Sequence, residues 1–142
     1  MPPNEILPGV YFLDRAAGAG ASFQVVDFKD AWVQSPPAGA DGICVAESPE
    51  VESGFWWEIE REAISNTSGL LTAATIYVGD YHYPQNFRDA SAAGNKDVAD
   101  NNQVIRASSA QKVYCVWTGC SVGAVGTLWI QYRKLRRISG GN

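Results

Sequence analysis

The residues of this chain that could do chemistry are few and scattered. Gly119-Cys120-Ser121-Val122-Gly123 fits the G-x-S-x-G pattern of a nucleophile elbow. That device needs a strand before the serine, a helix after it, and base and acid partners further along the chain. Here a strand-like run follows, and no histidine or carboxylate lies downstream of Ser121. The pentapeptide therefore reads as a glycine-rich hairpin loop. Glu58, Glu60 and Glu62 suggest a carboxylate pair for glycoside hydrolysis. That reaction needs two carboxyls about 5–5.5 or 6.5–9.5 Å apart, flanking one bond. Alternate residues of one strand point the same way, so these three make a solvated or contact face instead of a cleft.

His82, between Tyr81 and Tyr83, is the single histidine and has no nucleophile beside it. Its aromatic neighbours suit a contact surface better than proton transfer. Cys44, Cys115 and Cys120 could join His82 around zinc only by converging from distant segments. Their odd number does not make a disulfide framework, and they read as buried thiols. Asp80, Asp89, Asp97 and Asp100 lie in a long polar segment, 79–103. Calcium is conceivable there, but no EF-hand spacing is present, and such side chains more often cap turns. Asn66-Thr67-Ser68 fits a glycosylation acceptor, which has no meaning without a secretory route. No Walker or dinucleotide loop occurs. The expectation is a non-enzymatic protein with no cofactor and no metal.

The elements that position these residues follow a period of two. In Phe55–Ile64, Phe55, Trp57 and Ile59 share one face, and Trp56, Glu58, Glu60 and Glu62 the other. Ala73–Val78, Lys112–Thr118 and Gly126–Arg133 alternate in the same way, and Val104–Ala107 is a shorter candidate. Turn signals punctuate them at 66–69, 79–80, 93–95, 108–111 and 118–123. No convincing helix intervenes, so the pattern predicts a sandwich or barrel. Residues 1–54 differ, being rich in Gly, Ala and Pro. Strands are expected there only at 23–28 and 43–46, with 31–34 possible. The rest reads as an extended arm. The organisation predicted is an N-terminal arm over 1–54, a β-sandwich core over 55–137 and a tail over 138–142.

The chain has 142 residues, enough for one domain, and a net charge of −4. Residues 1–100 carry a net −10, whereas 101–142 carry six basic and no acidic side chains. The overall balance argues against a nucleic-acid partner. The apolar runs are too short for a membrane helix. The start, MPPNEILPGV, lacks a basic, apolar leader, so assembly in a cytoplasm is expected. The late basic cluster, Arg133, Lys134, Arg136 and Arg137, is either a patch for an acidic partner or a strand lying beside an acidic one. The second reading places Gly126–Arg133 next to Phe55–Ile64, with the glutamates facing Arg133. Trp56, Tyr77 and Trp129 fall opposite the apparent core residues. On one sheet they would form an exposed strip for another subunit or for sugar rings, unless the arm covers them.

The runs WWEIEREAI, AATIYVGD, NFRDASAAGNKDVAD and VYCVWTGCSVGAVGTLWIQYR carry a family likeness. Over residues 56–133 the chain resembles small β-sandwich virion proteins of tailed bacteriophages, most closely those of actinobacterial phages. The resemblance implies a capsid-associated, decoration, connector or tail-associated structural protein, located in the virion. Its partners would be copies of itself, as a homo-oligomer, and phage capsid, portal or tail proteins. The fold class expected is all-β, a jelly-roll-like antiparallel sandwich with an extended N-terminal arm. Trp56, Tyr77, Tyr81, His82, Tyr83, Trp129, Arg133, Arg136 and Arg137 are the candidate contact residues. The alternative is a carbohydrate-binding module for host attachment, with Trp56, Tyr81, His82, Tyr83 and Trp129 stacking on the sugar.

Overall fold

The computed structural model describes residues 10–11, 22–79, 86–92, 95–101 and 104–139. Ten strands occur in chain order: β1 (Val10–Tyr11), β2 (Ser22–Gln34), β3 (Cys44–Glu47), β4 (Phe55–Asn66), β5 (Thr72–Val78), β6 (Asn86–Ala92), β7 (Lys96–Asp100), β8 (Arg106–Ser108), β9 (Val113–Thr118) and β10 (Gly126–Ser139). Among the described residues there is no helix. The larger sheet runs β1-β2-β10-β4-β7, with β8 also paired to β4. The smaller runs β3-β9-β5-β6, and every pairing is antiparallel. The chain therefore crosses between the sheets after β2, β3, β4, β6, β8 and β9. This interleaving is the jelly roll, two Greek keys folded face to face.

The core lies where the two inner faces meet. Trp57, Ile59, Leu128, Ile130 and Tyr132 from the larger sheet pack with Ala46, Ala74, Ile76, Val113, Cys115 and Trp117 from the smaller. Trp57 stacks on Tyr132 with ring centroids 4.1 Å apart and planes 19° from parallel. Trp117 is fully buried, and its ring occupies the space where Gly126 would carry a side chain. A β-carbon on Gly126 would sit 2.5 Å from that ring, so the first residue of β10 must be glycine. Truncating the ring leaves a large void that the stiff sheets cannot close. Trp117→Ala should therefore cost about 3–5 kcal/mol, read as a lower urea midpoint at unchanged slope.

Asn95 organises the entry to β5. Its Nδ2 donates to the carbonyls of Ser68 and Leu70, both at 3.1 Å. Its Oδ1 accepts from the Thr72 backbone N–H at 3.1 Å and the Thr72 hydroxyl at 3.2 Å. Thr72 is buried, so alanine at 95 strands a buried amide. Asn95→Ala should destabilise by about 1–3 kcal/mol, measured by the same urea titration.

Three sequence expectations need correction. The arm does not extend to residue 54. β2 is a long strand inside the larger sheet, hydrogen-bonded along β10, and β3 edges the smaller. The alternation of β2 is weak because Asp27, Lys29 and Asp30 are exposed on both faces. The 79–103 segment holds two strands, β6 and β7, where a loop was expected. Both lie at sheet edges, and along β7 the exposed Lys96 and Asp100 blunt further pairing. The GCSVG turn is a crossover between sheets, not a hairpin, since β9 and β10 belong to different sheets. Ser121 Oγ there accepts from the Gly69 N–H at 3.1 Å, a turn-closing role.

Candidate functional site

The outward face of the larger sheet carries the exposed aromatic surface. Leu128 and Ile130 are buried, so Trp129 between them points outward. Directly paired residues of neighbouring strands share a face. Trp129 pairs with Trp32 on β2 and Ala63 on β4, and Ala63 pairs with Val98 on β7. Trp32, Trp129, Ala63 and Val98 thus make one apolar row across four strands. Trp32 is 62% exposed and Val98 58%. Trp129 Nε1 donates to the Asp30 carboxylate at 3.0 Å, which fixes its indole.

The next row is polar: Asp30, Gln131, Arg61 and Asp100, with Arg61 and Asp100 ion-paired. Beyond it Phe28, 66% exposed, lies opposite Arg133, whose guanidinium sits 6.0 Å from its ring centroid. At the far end the same face is closed. Trp56 meets the buried Phe23 edge to face at 5.7 Å, and the Arg106 guanidinium lies 5.0 Å from the Phe23 ring centroid.

The basic cluster resolves into separate roles. Glu58 is the direct partner of Arg133, and β4 lies beside β10 as the charge pattern predicts. Arg133 Nε donates to Glu60 at 2.7 Å, and its Nη1 lies 3.9 Å from Glu58. Glu58 also faces Arg106 at 3.6 Å. Lys134 reaches Glu52 at 2.9 Å. Arg136 donates to the neutral Gln24 Oε1 at 2.6 Å, and Arg137 is exposed. Arg133 and Lys134 are thus held by carboxylates of this chain. Glu62 turns inward instead, because a register shift in β4 places it on the buried face, where Asn101 Nδ2 donates to it at 3.0 Å.

The expected strip of Trp56, Tyr77 and Trp129 does not form. Trp56 and Trp129 lie at opposite ends of the larger sheet, and Tyr77 is on the smaller sheet, paired with Tyr114. Tyr81, His82 and Tyr83 fall outside the described residues. Phe28, Trp32 and Val98 were not among the candidates. Their signal was available only as register, since each joins the face through a strand distant in sequence. Among the described residues no group of three or more histidine, cysteine or acidic side chains could hold a metal ion. Among them, too, no helix is long and apolar enough to cross a membrane.

No family model matches the chain, and no curated protein does. Solved structures do. One is a chain from the acidic stable capsid structure of Helicobacter pylori bacteriophage KHP30, with a TM-score of 0.55 at 12% identity. The match covers 84% of this chain and 98% of that one. The fold is shared with a chain of a phage capsid. A second, looser similarity is to TmCBM61 in complex with β-1,4-galactotriose, with a TM-score of 0.33 at 15% identity, covering 87% of this chain and 80% of that one.

Proposed function

We propose that this protein is a non-enzymatic structural component of a bacteriophage particle, held in place by protein–protein contacts. The observation that carries this reading is the apolar row Trp32–Trp129–Ala63–Val98, laid open on a rigid sheet. Large exposed apolar groups set side by side and rimmed by charge are what a buried interface needs. The near full-length likeness to a capsid chain supports a virion location, and the sequence motifs support a particle of the tailed-phage type, actinobacterial in the finer likeness. The contact is with copies of this chain first, and with capsid, portal or tail proteins through the remaining surface. Assembly takes place in the host cytoplasm. The segment ahead of β2 is the arm in this proposal, anchored where β1 pairs with β2, and it adds to the contacts between subunits.

Trp32 and Trp129 beside Asp30 and Gln131 also present the materials of a sugar platform: aromatic planes with polar neighbours. Calorimetric titration with β-linked galacto- and gluco-oligosaccharides separates the readings. A face built for protein contacts gives no saturable heat at millimolar sugar. Binding that disappears in Trp32→Ala would replace the assembly role with that of a carbohydrate-binding module.

A further inference from the structure

One edge of the smaller sheet is open. β3 is its first strand and pairs with β9, and among the described residues no strand lies on its other side. The hydrogen bonds show which residues face that side. The Cys120 N–H donates to the Gly42 carbonyl at 2.9 Å, and the Ser48 N–H to the Val113 carbonyl at 2.8 Å. Main-chain groups alternate sides along a strand. Cys44 and Ala46 therefore also turn to β9, whereas Ile43, Val45 and Glu47 turn away from it. The Ile43 N–H is capped within its own turn by the Asp41 carboxylate at 3.2 Å. Pro49 ends the row, having no N–H. The edge thus offers the Ile43 carbonyl, the Val45 N–H and carbonyl, and the Glu47 N–H.

A groove of about 640 Å³ opens at this edge, lined by Pro36 and Pro37 as well as by Ile43, Val45 and Glu47. The prolines give it apolar surface with no N–H to satisfy. The charged residues that line it are Asp41 and Glu47. Asp41 is exposed, and Glu47 keeps 51% of its side chain exposed although Lys112 Nζ lies 3.1 Å away. Cys44 and Ala46 are buried, so the side chains of Ile43, Val45 and Glu47 stand on the outer face of the sheet.

We infer that this edge takes up an extended segment of a partner protein as a further, antiparallel strand of the smaller sheet, and that the segment is basic at both ends and β-branched between. Both main-chain bonds to Val45 set its register, as in other cases of strand addition. One basic residue then stands opposite Glu47. The other stands opposite Ile43, beside Asp41. Opposite charges placed directly across a strand pair attract, and like charges repel. The β-branched residues between them suit a strand and bring methyl groups to the prolines of the groove. A second copy of this chain offering its own β3 is the wrong partner. In the register that satisfies Val45, its Glu47 would stand opposite Ile43 and beside Asp41, carboxylate against carboxylate. The inference stands apart from the apolar row, which lies on the larger sheet.

The test uses the full chain and an acetylated, amidated pentapeptide, lysine–threonine–valine–threonine–lysine, added up to millimolar concentration. A control peptide carries glutamate in place of lysine. Hydrogen exchange resolved to single amides reads the site. At saturating lysine peptide, exchange at the Val45 and Glu47 amides should slow by about tenfold or more. The glutamate peptide should bind about tenfold more weakly, and Glu47→Lys should weaken the lysine peptide about fivefold. Proline is tolerated at an edge position whose N–H faces outward. Val45→Pro should therefore keep its cooperative unfolding and lose the peptide. No protection at millimolar lysine peptide would overturn the inference. So would equal affinity for the two peptides, protection at another sheet edge instead of at Val45 and Glu47, or unchanged binding by Glu47→Lys or by folded Val45→Pro. None of these results bears on association through the apolar row.

Discussion

A chain shortened to begin at Phe55 is expected not to fold. It keeps most of the segments with the clearest alternation, and a reading from pattern alone would expect a stable sandwich. The structure points to the opposite result. Removing residues 1–54 takes away β2, which pairs with β10 from Ser22–Ser139 to Gln34–Thr127, and β3, which pairs with β9. Phe23, Cys44, Ala46 and Val51, each buried, go with them. The backbone groups of β10 and β9 lose their partners on one side, and Ala31 and Val33 no longer pack against the core. A domain of this size is stable by only about 5–15 kcal/mol, and a handful of buried side chains at about 1.5–3 kcal/mol each spans that margin. The expected outcome is insoluble protein, or soluble protein with no cooperative thermal transition. A chain beginning at Ser22 keeps both sheets and unfolds cooperatively, and it forms smaller assemblies than the full chain.

The second large effect falls on association. Trp32→Glu with Val98→Glu places two carboxylates at the ends of the apolar row. Both positions are mostly exposed, so each change should move folding stability by about 0.5 kcal/mol or less. In an interface the same changes bury unpaired charge where an aromatic anchor sat. A central aromatic contact commonly contributes about 2 kcal/mol or more. With the second charge added, the dissociation constant of the assembly should rise at least about a hundredfold. A melting curve that stays put while the assembly falls apart identifies the row as contact surface rather than structure.

The legible part of this molecule was its covered core. Phe55–Ile64, Ala73–Val78 and Gly126–Arg133 alternate because one face of each meets the opposite sheet, and burial repeats every second residue except at the register shift of β4, between Ile59 and Glu62. The glutamates of β4 and Arg133 of β10 announced their pairing because charge complementarity acts directly across strands. β2 was harder to see. Much of it extends past the smaller sheet, so both its faces meet water and the period fades. β6 and β7 are edge strands with polar residues, which composition cannot tell from a loop. The apolar row was hidden for a different reason. Trp32, Trp129, Ala63 and Val98 are neighbours only through register, and register is a property of the assembled sheet. Trp56 and Trp129 looked equivalent by alternation, yet one is tucked against Phe23 and the other stands in the exposed row.

The most direct test is the mass in solution of the full chain and of the Trp32→Glu/Val98→Glu variant, by sedimentation velocity across a wide range of concentration. Assembly through the apolar row predicts a multiple of the protomer mass for the wild type and the protomer mass for the variant. A wild type that stays monomeric throughout, or a variant that assembles as well as the wild type, would contradict it.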